Sequence, residues 1–381
     1  MRISDRVKNM KYSAVRKLAP LASEAEKKGI KVYRLNIGQP NIETPKLFFE
    51  GLKNIPDHVI RYADSRGISV LLEQVIEVYA RDGHFLKKED IIVTEGGSEA
   101  LTFAMLAICN PDDEVLIPEP FYSNYKSFLD ISGAKIIPIP TDIKNDFALP
   151  KKEEIQKLIN SKTKAILYSN PCNPTGKVYT EEEVKLLADL AVENDLFVIA
   201  DEPYRELVYD DIEVPYIINY YHNTFVCYSY SKALSLPGER IGYIAVSPDM
   251  DDEEDAYAAV CGAGRALGYV CASSMYQRVI EKCLDATSDI SIYKTNRDLL
   301  YNSLTGMGYQ CVYPDGAFYL FVKAMCDDSH EFCEKAKEHE LLLVPADSFG
   351  TPGYIRVSYC VQTKQIEDAL PAFKKLAEEY K

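Results

Sequence analysis

From about residue 66 onward, short apolar segments that read as strands alternate with longer stretches whose apolar residues recur at helical spacing. The segments 91–94, 114–118, 135–140, 164–169, 196–200, 224–229 and 241–246 are rich in β-branched and aromatic residues. The first helical stretch carries Ile68, Leu71, Leu72, Val75, Ile76 and Tyr79, which share one face. Strands apolar on both sides, joined by helical crossovers, need a mostly parallel sheet covered by helices on both faces. The join between 224–229 and 241–246 is too short for a full helical crossover, so an antiparallel strand is expected there. Beyond residue 290 the pattern changes to a long charged helix around 293–304 and short strands at 318–322, 341–345 and 354–358. The chain therefore reads as α/β, with a large domain over 46–288 and a smaller α+β domain built from 1–45, including an N-terminal arm, and 289–381.

Composition narrows the function. A formal net charge of -15 argues against a nucleic-acid partner, because phosphate backbones need a basic footprint. The ten cysteines show no Cys-x-x-Cys pair and read as buried free thiols of a reducing compartment. The five histidines are scattered, so no metal site is expected. Residues 1–10 are charged and lack the apolar core of a signal peptide, and no apolar run reaches the length of a membrane span. A cytoplasmic location with no membrane partner is the expectation.

In open α/β sheets, ligands collect at the carboxyl ends of strands, and the residues there are informative. After 91–94 come Gly96, Gly97 and Ser98, opening an apolar helix. This arrangement suits an anion, with Ser98 as hydrogen-bond donor or cap, although a capped turn without ligand would look the same. After 164–169 comes Asn170-Pro171-Cys172-Asn173-Pro174-Thr175-Gly176, a rigid turn able to aim the Asn173 amide. After 196–200, Asp201 stands at the mouth of a buried strand, where a carboxylate is costly unless it meets a cation. After 224–229 come Ser231 and Lys232, and Arg240 opens the next strand. A buried lysine has a lowered pKa and becomes a nucleophile and base, while Arg240 and the serines suit a phosphate. A phosphate cup, an amine, a carboxylate for a ring nitrogen, and Tyr204 with Asn173 for a ring oxygen make the set that pyridoxal 5'-phosphate (PLP) asks of a protein.

Over essentially its full length the sequence resembles the fold-type I PLP-dependent aminotransferases, the superfamily of aspartate aminotransferase. The resemblance rests on Asn36-Ile37-Gly38-Gln39-Pro40, Tyr62, Gly96-Gly97-Ser98, Pro120-Phe121-Tyr122, the Asn-Pro loop, Asp201-Glu202-Pro203-Tyr204, Ser229-Tyr230-Ser231-Lys232 with Arg240, and Tyr354-Ile355-Arg356-Val357-Ser358. It implies that Lys232 forms the internal aldimine and shuttles the proton, that Asp201 holds the pyridine nitrogen, and that Tyr204 and Asn173 bond the ring oxygen. Tyr122 would stack on the ring with Pro203 on the other face. Gly97, Ser98, Ser229, Ser231 and Arg240 would hold the phosphate, joined by Tyr62 of a neighbouring subunit in a homodimer. Arg356, Gly38 and Asn173 would bind the substrate. The implied reaction moves an amino group between an L-amino acid and a 2-oxo acid, with 2-oxoglutarate as acceptor. The alternatives are a lyase or synthase of the same fold, such as a carbon-sulfur lyase or an aminocyclopropane-carboxylate synthase, and a non-catalytic regulator that keeps the fold.

Two features bear on the donor. The aspartate-specific branch often carries Gly-Gly-Lys where this chain has Gly96-Gly97-Ser98, which weakens an expectation of aspartate specificity. Arg265 lies where the family sends a second arginine into the neighbour's site. It would either pair a distal carboxylate there or be a solvated helix-end cation, and the second reading is favoured. The glycine pattern from Gly262 to Gly268 resembles a dinucleotide fingerprint but follows no strand, so no nicotinamide site is expected.

Overall fold

In the computed structural model, residues 14–55, 58–286 and 288–381 are described, with the backbone alone for 14–17. The charged stretch of residues 1–10 lies outside them. Helix Ala14–Lys27 is followed by a short strand, β1 (Tyr33–Arg34). The strands β2 (Ile91–Thr94), β3 (Glu114–Glu119), β4 (Lys135–Pro140), β5 (Thr163–Ser169), β6 (Phe197–Asp201), β7 (Thr224–Ser229) and β8 (Gly242–Val246) then build one sheet in the order β2-β8-β7-β6-β5-β3-β4. All neighbours from β7 to β4 are parallel, whereas β8 lies antiparallel between β2 and β7, as the short join requires.

Side chains alternate across this sheet and explain why its strands are continuously apolar. From β5, Ala165 and Leu167 enter one core layer with Phe103 and Leu101, while Ile166 and Tyr168 enter the opposite layer with Val184 and Leu187. Helix Glu181–Asn194, which supplies that opposite layer, starts at a capping box in which Thr180 and Glu183 satisfy each other's backbone amides. Helix Ser69–Arg81 buries Leu71, Leu72, Val75 and Tyr79. The segment from Gly262 to Gly268 runs through the end of helix Glu253–Ala266, and a Cβ on Gly264 would meet the Phe103 ring at 3.1 Å. Gly264 thus lets this helix approach Phe103 closely, which is a packing role, whereas nothing lies within 4 Å of a Cβ on Gly262 or Gly268.

The later part of the chain builds a four-stranded antiparallel sheet from β9 (Gln310–Cys311), β10 (Tyr319–Lys323), β12 (Val344–Pro345) and β13 (Tyr354–Ser358), in the order β12-β13-β10-β9. Helices Ser291–Met307 and Thr363–Glu378 pack with it. The stretch 341–345 does not form the single strand expected. Its first half, β11 (Leu341–Leu342), pairs parallel with β1, and Val344–Pro345 pairs with β13. Pro345 has no N–H to extend a ladder, which confines it to the edge where the pairing stops. All ten cysteines are free thiols. Among the described residues, no helix is long and apolar enough to cross a membrane.

Candidate active site

The carboxyl ends of β2, β5, β6 and β7 and the start of the antiparallel β8 meet at a common cleft, and each delivers polar groups there. Gly96, at φ 84°, is the N-cap of helix Gly97–Ile108, so the cap belongs to this glycine and Ser98 takes the first helical turn instead. Glycine is favoured at 96 by this backbone conformation, and the space a Cβ would take is used by the Arg240 guanidinium, whose Nη2 lies 2.7 Å from that point. Gly97 backs onto the Ser229 side chain, 3.4 Å from where its own Cβ would be. Arg240 does not open the next strand; it sits in the preceding turn at φ 51° and donates from Nη1 to the Pro237 carbonyl at 3.2 Å. Ser229 Oγ donates to Ser231 Oγ at 2.8 Å. The amide-rich helix start, two serines and an arginine thus meet in one place, an arrangement suited to a phosphate.

Lys232, half-buried in the short helix Tyr230–Ala233, donates from Nζ to the Gly38 carbonyl at 2.8 Å and lies 5.5 Å from the centre of the Phe318 ring. Burial lowers its pKa to about 8, and the charges of Arg356 and Arg240 push the same way, against the opposing influence of Cys360. A substantial neutral fraction therefore exists near physiological pH.

Asp201, 5% exposed at the end of β6, accepts a hydrogen bond from Tyr125 Oη at 2.5 Å. Burial raises its pKa to about 7, with the tyrosine bond opposing and the Glu202 charge adding to the rise. Its neighbour Glu202 points the other way and pairs with Arg205, whose guanidinium lies 4.9 to 5.2 Å from the ring centres of Tyr79, Tyr216 and Tyr228. Pro203, next in the chain, is half-buried.

On the substrate side, Arg356 comes from β13 and is 4% exposed. Its Nη1 donates to Asn173 Oδ1 at 3.0 Å and its Nη2 to the Asn36 carbonyl at 3.2 Å, whereas Nε has no partner among the described residues. The guanidinium stacks on Tyr319 and Phe349, 4.3 and 4.9 Å from their centres. Asn173 is held there because Gly176, at φ 74°, accepts at its carbonyl from the amides of Asp315 and Gly316, fixing the Asn-Pro loop to the segment that leads into β10. Tyr204 is buried, its hydroxyl 2.9 Å from that of Tyr319. Tyr122 is half-buried, accepts from Asn124 at 2.8 Å, and stands edge-on to Tyr125.

Two residues stand apart. Tyr62 is 85% exposed, and Arg265 is exposed in the last turn of helix Glu253–Ala266. Two others come into the site without a sequence signal. Tyr125 and Tyr319 are among 27 tyrosines, and neither lies at a strand end where ligands were sought. The period-two pattern of β10 would have put Tyr319 on one face, but only the pairing of Tyr319 with Ser358 puts it beside Arg356.

This architecture recurs in known proteins. A probable aspartate aminotransferase of Methanocaldococcus jannaschii is 33% identical over 99% of this chain and 100% of its own. An aromatic-amino-acid aminotransferase of Thermococcus litoralis is 30% identical over the whole of both chains. The crystal structure of an aminotransferase from Eubacterium rectale superposes with a TM-score of 0.94 at 42% identity, covering 100% of this chain and 99% of that one. None of these relatives favours the lyase alternative, and the fold is that of the fold-type I PLP enzymes. The model of the family described as aminotransferase class I and II matches residues 30–373, and the chain belongs to that family.

Proposed function

We propose that this aminotransferase holds PLP in the cleft and moves an amino group between an L-amino acid and a 2-oxo acid, with 2-oxoglutarate as acceptor. The observation that carries the reading is a set of unpaired cations. Arg240 and Arg356 both act electrostatically on Lys232, and among the described residues none of the three pairs with a carboxylate. Gathering positive charge without an internal anion is unfavourable, and a phosphate and a substrate carboxylate would relieve it.

The residues fit the cofactor. Gly97, Ser98, Ser229, Ser231 and Arg240 would hold its phosphate, Asp201 its ring nitrogen, Asn173 and Tyr204 its ring oxygen, and Tyr122 and Pro203 its two faces. When bound, the cofactor supplies an aldehyde that accepts an amine and an electron-poor ring that stabilises the charge left by a departing proton. Burial favours the protonated form of Asp201, raising its pKa to about 7, and a cation beside it would favour the carboxylate. Lys232 Nζ, with its pKa of about 8, takes the proton from the amino acid's α carbon and returns it. Arg356, held beside Asn173 and the Asn36 carbonyl, would pair its planar guanidinium with the α-carboxylate, and Gly38 would line the same side of the cleft.

The exposed Leu47, Phe49, Val59, Ile60, Tyr62 and Val70 support a homodimer in which Tyr62 reaches the neighbour's phosphate site. Pairing of β1 with β11 supports assigning 1–45 with 289–381 to a small domain beside a large one of 46–288. The free thiols support a cytoplasmic setting.

A panel of amino donors with 2-oxoglutarate or pyruvate tests the reading. Yellow wild-type protein should convert at least one donor, and Lys232→Ala should lose the activity and the normal colour. An active, normally coloured Lys232→Ala enzyme would refute it.

A further inference from the structure

Tyr319 has no place in the roles above, yet it touches three of the residues that do. In the antiparallel pairing of β10 with β13 it lies opposite Ser358, which puts it diagonal to Arg356 on the same face. Its ring carries the Arg356 guanidinium at 4.3 Å and its hydroxyl meets that of Tyr204 at 2.9 Å. Gly38 is packed so tightly against it that a Cβ there would fall 1.9 Å from the Tyr319 hydroxyl. The carbonyl of the same Gly38 receives the Lys232 amine.

We propose that Tyr319 is a positioning residue that ties the arginine for the substrate carboxylate to the phenol facing the cofactor. The inference rests on the PLP reading above. A phenol donates one hydrogen bond and accepts others. With Tyr319 donating to the Tyr204 oxygen, the Tyr204 proton is left for a ring oxygen. Burial raises the pKa of both phenols, so both keep their protons at physiological pH. The ring of Tyr319 acts separately, holding the plane of Arg356 in place for a carboxylate.

Two variants separate the two contacts. Tyr319→Phe keeps the ring and removes the hydroxyl. It should weaken PLP binding to the apoprotein by about fivefold, the size of one net hydrogen bond, and shift the visible band. It should also lower kcat by about the same factor, with KM for the amino donor within about twofold of wild type. Tyr319→Leu also removes the ring and should raise that KM by a further factor of about ten. A role in packing alone would lower thermal stability without this division between kcat and KM. Wild-type band, PLP affinity and kcat in Tyr319→Phe would overturn the inference and leave the PLP reading standing. Wild-type protein that forms no visible band with PLP would overturn both.

Discussion

Asp201 and Glu202 are consecutive buried carboxylates on opposite sides of one strand end, and their surroundings differ. Behind the strand, Glu202 is paired with Arg205, and the arginine is enclosed by the rings of Tyr79, Tyr216 and Tyr228. In front, Asp201 has a single phenol donor, and the nearby Lys232 and Arg356 have no carboxylate partner among the described residues. The back is electrostatically complete, as a structural network must be. The front gathers cations that no carboxylate of the described residues offsets, which is the electrostatic pattern of a site for anionic ligands.

The comparison can be broken first from behind. Arg205→Met leaves Glu202 buried and uncompensated, which should cost about 3 to 5 kcal/mol of stability, and Glu202→Leu in the same chain should recover most of that. Denaturant unfolding measures both, and activity per folded molecule should change far less than stability. A stable but inactive Arg205→Met protein would mean that the back belongs to the catalytic machinery.

In front the order reverses. Asp201→Asn should keep the fold and lose roughly a hundredfold or more in kcat, because an amide cannot hold a protonated ring nitrogen. Unchanged turnover would show that Asp201 faces something else. The same variant has a pH signature in the apoprotein. The folded-state pKa of about 7 exceeds the usual carboxylate value of about 3.9, so the folded state binds more protons between those values. This group's contribution to stability therefore declines as pH rises from about 4 to about 7. Asp201→Asn should flatten that slope in thermal melts, and an unaltered slope would assign the pH dependence to other groups.

Smaller effects are expected at the rim. Tyr62→Phe should weaken PLP binding by about fivefold if the hydroxyl bonds the neighbour's phosphate, and not at all in an obligate monomer. Arg265→Ala should be the mildest. Exposed at a helix end, Arg265 should change rates with aspartate, glutamate and tyrosine equally and by less than about twofold. A loss confined to the two dicarboxylic donors would bring Arg265 into the site.

The large sheet was legible because its strands are buried on both faces. Continuous apolar runs separated by helical spacing admit few other folds, and even the antiparallel β8 followed from a short join. The candidate site residues at strand ends stood out for a related reason, since polar groups there interrupt an apolar pattern. What sequence could not reach were contacts made by long-range pairing. Tyr125 meets Asp201 and Tyr319 meets Arg356 only after elements far apart in the chain are brought together, and a tyrosine among many carries no local mark. The division of 341–345 between two sheets was hidden likewise, because two short apolar pairs read as one strand.

The central claim is that Lys232 is the amine that meets the cofactor in the open front of the cleft. Borohydride reduction of the PLP-loaded protein fixes the cofactor carbon to whichever amine holds it, and peptide mass mapping then identifies that residue. The account predicts a single modified lysine, Lys232, with no modification in Lys232→Ala; cofactor fixed to any other lysine of the wild-type chain would contradict it.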